Sequence, residues 1–148
     1  MRSMALLTIR STFFALLLAA ASDLLACSCP SWTIQENIDA AQVVVRARLT
    51  EARLLPRLYK VEMTFAVSQV FKGDVRPGVM KVRTAESEAV CGVAVVVPRE
   101  YVLFIDRNGE VSWCSGTFRL TKGDRFEPRL QEFLRVVKKG NPSTAPHR

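Results

Sequence analysis

The sequence predicts a mainly β domain: a five-stranded OB-type Greek-key barrel, disulfide-linked, with one short N-terminal helix and one C-terminal helix. Three observations carry this reading. Apolar and polar residues alternate at period two through several segments between positions 43 and 114. Turn formers, among them Lys72-Gly73-Asp74, Pro77-Gly78 and Asn108-Gly109, separate those segments. Helical apolar spacing flanks them at either end. A β-sandwich is the alternative, but it usually wants about seven strands, whereas five short strands suit a small barrel. With 148 residues, 49% of them hydrophobic and 24% charged, the chain is long enough for one domain and is not wholly disordered.

Residues 1–26 read as a secretory signal peptide. Arg2 and Arg10 precede nine consecutive apolar residues, Phe13 to Ala21, and a small residue, Ala26, precedes the expected cut. A bilayer span needs about 20 apolar residues, so a retained membrane anchor is the weaker alternative, and the protein is not expected to be integral to a membrane. Cleavage after Ala26 makes Cys27 the first mature residue; cleavage after Ala21 is a second option. Leu24-Leu25-Ala26-Cys27 also resembles a lipobox, but Asp23 sits badly in it and an acylated Cys27 leaves an odd number of thiols. The expected location is secreted, extracellular or periplasmic, with a lipid anchor as the alternative.

Thr33 and Glu36 form a capping-box pair, and Ile34, Ile38 and Ala41 share a helical face. The first strand follows, with Val43, Val45, Ala47 and Leu49 inward and Val44, Arg46 and Arg48 on a wet face. After the short connection at Leu55-Pro56-Arg57, Tyr59, Val61, Met63, Phe65 and Val67 face one side; Lys60, Glu62, Thr64 and Ser68 face the other. Val79 to Thr84 is the third strand. Glu100 to Asp106 is the fourth, nearly continuous in apolar residues and therefore central. Glu110 to Cys114, after the Asn108-Gly109 turn, is the fifth. Leu130, Phe133, Leu134 and Val137 then repeat at helical spacing, with Asp124 and Glu127 as the cap and Gly140 as the stop. The domain is thus expected over 27–139 and a flexible tail over 140–148.

The chemistry that can be excluded is broad. The single histidine, His147, stands next to the last residue, so no histidine base or His-ligated zinc belongs to the fold. No carboxylate pair, nucleophile–base set or phosphate loop appears, and Ser115-Gly116-Thr117 lacks the histidine a hydrolase motif needs. The chain is expected not to be an enzyme, with no catalytic residue, cofactor or bound metal. Asp106-Arg107-Asn108-Gly109-Glu110 is an incomplete calcium loop and reads as a turn. The net charge is +7, but Arg46, Arg48, Lys81 and Arg83 are outward strand positions, and an exported protein meets little nucleic acid; none is expected as a partner.

Four cysteines, Cys27, Cys29, Cys91 and Cys114, allow three pairings. Joining Cys27 to Cys29 closes a very small ring, which leaves two pairings, each tying the N-terminal segment to the barrel at two points. A reduced Cys-x-Cys copper or zinc site is the rival. It lacks histidine partners and belongs in a reducing compartment.

These pieces, in this order, resemble the N-terminal domain of the tissue inhibitors of metalloproteinases and its bacterial TIMP-like relatives, an NTR-type fold. Cys27-Ser28-Cys29 opens the mature chain; AQVVVRARL at 41–49, FKGDV at 71–75, SEAVCGV at 87–93, EYVLFID at 100–106 and WCSGT at 113–117 follow. The resemblance spans about residues 27–120. It implies disulfides Cys27–Cys91 and Cys29–Cys114. It also implies a monomeric inhibitor whose Cys27 amine and carbonyl chelate the zinc of a metalloprotease. Ser28, Cys29, Ala89 and Val90 would form the contact ridge. Because the connection at 54–57 is short, contacts from a long first hairpin are expected to be missing. The alternative is a secreted or cell-envelope binding or adhesion module on the same fold, with no protease target.

Overall fold

A computed structural model describes residues 27–120 and 127–140. The expected signal peptide, the capping residue Asp124 and the tail beyond Gly140 lie outside the described residues. Helix α1 spans Ile34–Ala40; strands β1 to β5 span Val43–Leu55, Lys60–Lys72, Gly78–Ala85, Arg99–Ile105 and Phe118–Leu120; helix α2 spans Glu127–Gly140. The strands form one antiparallel sheet in the order β3-β2-β1-β4-β5. Among the described residues, β3 and β5 share no continuous ladder. Instead, one parallel bridge joins Arg83 to Glu110, where Arg83 donates to the Gly109 carbonyl and Val111 donates back to the Arg83 carbonyl. No described helix is long and apolar enough to cross a membrane.

The sheet buries both faces. On one, Val45, Ala47, Leu49, Met63, Phe65, Val67, Val82, Tyr101, Leu103 and Ile105 make a single core, with the Phe65 and Tyr101 rings edge to face at 5.8 Å. On the other, Val44, Val102, Phe104 and Phe118 meet Ile34 of α1 and Phe133 of α2. The two helices explain β4: both of its alternating sets, Tyr101-Leu103-Ile105 and Val102-Phe104, are covered, so its apolar run is continuous. They also correct the wet face expected at Val44, which is fully buried beneath them.

Helix α1 starts where the capping box places it. The Thr33 Oγ1 accepts from the Glu36 amide at 3.2 Å, while the Glu36 carboxylate accepts from the Thr33 amide at 2.7 Å. At its other end, Lys72 Nζ donates to the Ile38 and Asp39 carbonyls, satisfying acceptors that a seven-residue helix leaves open. In α2, Leu130, Phe133 and Val137 face the core as expected. Leu134 does not; it is 39% exposed, and Val136 packs inward in its place.

Three expectations about strands need correction. First, β1 and β2 each run 13 residues, so the connection is short but the hairpin is long. Its outer half, Glu51 to Leu54 paired with Val61 to Thr64, is exposed on β1, beyond the core-facing residues that end at Leu49. Second, Tyr59 lies outside the strand, in left-handed backbone (φ 51°), and is 71% exposed. Lys60, expected on the exposed polar face, is half-buried and paired with Glu110. Third, residues 110–114 are not a strand. Glu110 makes the single bridge, and Trp113–Ser115 is a 3-10 turn capped reciprocally by Ser112 and Ser115. The strand that pairs with β4 is Phe118–Leu120.

Candidate functional site

The site grows from two short turns and the chain that precedes α1. In the first turn, Val90 and Gly92 donate to the Ser87 carbonyl and Cys91 donates to the Glu88 carbonyl, at 3.2, 2.8 and 3.1 Å. Cys91 closes it in left-handed backbone at φ 65°. Gly92 is required by space: a Cβ there would stand 2.4 Å from the Ala85 carbonyl oxygen and 2.7 Å from that of Ser87. The second turn, Trp113–Ser115, ends on Gly116 at φ 87°, which lies against the Asn37 side chain, 2.8 Å from a built Cβ to Asn37 Cγ. A backbone bond from the Trp113 amide to the Cys91 carbonyl, 2.9 Å, joins the turns.

Both turns are fastened to the sheet. Buried Thr84 accepts from the Val93 amide, and buried Thr117 accepts from the Phe104 amide. The Tyr101 hydroxyl donates to the Ala94 carbonyl and accepts from the Val96 amide. Burial of this phenol pushes its pKa above the usual tyrosine value, so it stays neutral and keeps its donor at physiological pH.

The N-terminal segment is then bonded to each turn: Cys27 to Cys91 and Cys29 to Cys114, each with Cα atoms 5.1 Å apart. Of the two pairings left open by the spacing, this is the one implied by the resemblance. Cys27 is half-buried; Ser28 and Cys29 between and beyond the bonds are exposed, as are Ala89 and Val90 of the first turn. The structure therefore ties Cys27 beside Cys91, the residue that follows the Ala89-Val90 pair. The two disulfides touch: Cys27 Sγ lies 3.6 Å from Cys114 Sγ and 3.9 Å from Cys29 Sγ.

Two tryptophans flank this knot, and the sequence pattern did not mark them as surface groups. Trp32, three positions past Cys29, is 49% exposed, and Trp113, bonded through its amide to Cys91, is 45% exposed. Their signal was adjacency to cysteines held near the surface. Beneath Trp32 lies a cavity of about 310 Å³ bounded by Pro30, Asn37, Ala41, Phe104 and Cys114. Asn37 is buried there; its Nδ2 donates to the Thr33 carbonyl at 3.0 Å. Asp106, weighed above as a calcium ligand, instead accepts from the amides of Asn108 and Glu110 and so orders its own turn.

Chemically, the knot presents fixed backbone rather than reactive side chains. Its sulfurs are oxidised, and what it exposes is small residues and aromatic surface. No family model matches this chain, and no curated protein matches it.

Proposed function

We propose that this chain is a secreted TIMP-like inhibitor of metalloendopeptidases, built on an OB-type barrel and acting as a monomer. Removal of residues 1–26 frees the α-amino group of Cys27. That amine and the Cys27 carbonyl chelate the zinc of the protease. Ser28 enters the neighbouring specificity pocket, and Cys29, Ala89 and Val90 line the contact. The barrel reading is supported by the Arg83–Glu110 bridge, which draws the β3 edge towards the chain leaving β4.

One observation carries the proposal. The segment Cys27-Ser28-Cys29 is bonded at both cysteines to two separate turns of the sheet, while Ser28 between them stays exposed. Chelating atoms held in place before binding lose little freedom on binding. A zinc ion with an open position accepts amine nitrogen and carbonyl oxygen. An α-amine with an ordinary pKa of about 7.7–8.0 gives up its proton near neutral pH at small cost.

The experiment is to titrate a panel of zinc endopeptidases with protein beginning at Cys27 and with protein carrying one extra Ala before it. The extension turns the amine into an amide, which has no free lone pair for zinc. Inhibition should collapse while the melting temperature stays the same. Equal inhibition by both forms rules out chelation. Ser28→Gly should weaken inhibition unequally across the panel, because only a pocket contact is lost.

The second reading, a binding module without a protease target, is favoured by the hairpin tip. Leu54, Leu58 and Tyr59 are 55%, 54% and 71% exposed at the closed end of the β1–β2 hairpin. Inhibition by neither form in the titration selects that reading.

A further inference from the structure

The Cys-x-Cys metal site weighed above lacks histidine partners, and the pair alone offers a metal two thiols. The fold changes that count. It delivers Cys91 and Cys114 to the same point, and the sulfurs of Cys27, Cys91 and Cys114 all lie within 4.8 Å of one another. Between the two disulfides, Cys27 Sγ and Cys114 Sγ are 3.6 Å apart, Cys27 Sγ and Cys29 Sγ 3.9 Å, and Cys91 Sγ and Cys114 Sγ 3.9 Å. Four thiolates around a tetrahedral zinc at about 2.3 Å have sulfurs about 3.8 Å apart. These three separations lie close to edges of that tetrahedron, and Cys29, outside the cluster of three, must swing towards Cys91 to complete it.

The frame that holds the sulfurs does not consist of the disulfides alone. Cys91 sits in a turn closed by the Ser87 and Glu88 carbonyls, and Cys114 in a turn capped by Ser112 and Ser115. The Trp113 amide bonded to the Cys91 carbonyl ties one turn to the other. None of these hydrogen bonds involves a sulfur, so the frame that brings Cys91 beside Cys114 does not run through the sulfur–sulfur bonds.

We propose that the reduced protein binds one Zn²⁺ through the thiolates of Cys27, Cys29, Cys91 and Cys114, and that the disulfide pair is the metal-free, oxidised form of the same site. Each disulfide takes two electrons and two protons from one dithiol, which leaves as a cyclic disulfide; two such reductions give four thiols. Zn²⁺ then displaces the four thiol protons to solvent and forms four zinc–sulfur bonds. In reverse, two equivalents of a disulfide oxidant accept the electrons, the Cys27–Cys91 and Cys29–Cys114 bonds re-form, and the ion is released. Soft thiolate donors select such a d¹⁰ ion over magnesium or calcium. The site is independent of the inhibitor reading, which concerns the oxidised protein.

The test uses the chain from Cys27, reduced with a phosphine under anaerobic conditions and titrated with Co²⁺ as a coloured substitute for Zn²⁺. The expected result is saturation at one ion per chain, with the intense thiolate-to-cobalt absorption of a tetrahedral four-sulfur site. Zn²⁺ should bleach that colour, and all four cysteines should resist alkylation while the metal is bound. Cys91→Ser should weaken binding at least about tenfold, in line with the loss of a ligand. Absence of saturable binding, or protection of Cys27 and Cys29 alone, overturns the proposal. So does equally tight binding by the reduced chain in denaturant, since the fold would then contribute nothing; this comparison decides the matter even if Cys91→Ser fails to fold.

Discussion

Phe65 and Lys60 lie on one strand and answer to different physics. Phe65 is 1% exposed and meets Tyr101 edge to face, so Phe65→Ala leaves a cavity in the larger core and should cost about 3–5 kcal/mol in chemical denaturation. Lys60 pairs with Glu110 at the surface, and Arg83 Nε lies 4.0 Å from the same carboxylate. A half-exposed pair of this kind is worth little, and Lys60→Ala should cost less than about 1 kcal/mol. Equal losses from the two substitutions would contradict the register of β2. Glu36 provides a residue-scale pH test. Hydrogen bonds from the Thr33 backbone amide, then from its hydroxyl, hold the Glu36 carboxyl below the usual carboxylate range. A carboxylate whose folded pKa is depressed stabilises the fold above its unfolded pKa, and that contribution fades as pH falls through the folded value. The gap in melting temperature between the protein and Glu36→Gln should therefore be widest near neutral pH and shrink in acid. A gap that widens on acidification would refute the capping assignment.

At the scale of elements, the sequence was legible wherever one periodicity met one environment. Met63, Phe65 and Val67 alternate because one face of β2 is core, and Thr33 with Glu36 marks the start of α1 because both halves of the box are local. The disulfide partners were narrowed to two pairings by ring size, and the family resemblance selected between them. What stayed hidden was set by contacts distant in sequence. The outer half of β1 is exposed and reaches no core, and it is held as a strand by its pairing with β2. Residues 110–114 have strand-like alternation, yet the Ser112–Ser115 caps and the Trp113–Cys91 bond draw them into a turn, leaving Phe118–Leu120 to pair with β4. The exposure of Trp32 and Trp113, and the meeting of the four sulfurs, follow from those same long-range contacts. Docking of α2 is the clearest element-level test. Phe133 is fully buried, edge to face with Phe71, Phe104 and Phe118 at 4.9, 5.8 and 6.2 Å. Arg129 adds a cation–π contact over Phe118 and a bond to the Gly116 carbonyl. Phe133→Ala should cost about 3–5 kcal/mol, and α2 amides should lose protection from hydrogen exchange before those of β1 and β4. Uniform loss of protection would show that the helix and the sheet open together.

For the molecule as a whole, the two disulfides are not independent supports. Each alone closes a long loop, with sequence separations of 64 and 85. Chain entropy puts a closure of that length at roughly 4–4.5 kcal/mol, as an upper figure. Once one bond is present, however, the other closes a much shorter circuit. With Cys27–Cys91 intact, the path from Cys29 to Cys114 runs back to Cys27, across the bond and along the chain from Cys91, about 25 residues in all, worth roughly 3.5 kcal/mol. Replacing the Cys29–Cys114 pair by alanines should therefore cost up to about 3.5 kcal/mol, and replacing Cys27–Cys91 a similar amount, because the reciprocal path has the same length. Removing the second bond should then cost more than removing the first, by about 0.5–1 kcal/mol, since the last crosslink alone holds the long loop. The measurement is a double-mutant cycle on the two pairs by urea denaturation, with the denaturant slope rising as the unfolded chain is released. Strictly additive losses would mean that the two bonds constrain separate parts of the unfolded chain, which their shared circuit does not allow. A second loss smaller than the first would mean that removing one bond already loosens the native knot, so that the Cys91 and Cys114 turns depend on the disulfides more than on their own hydrogen bonds.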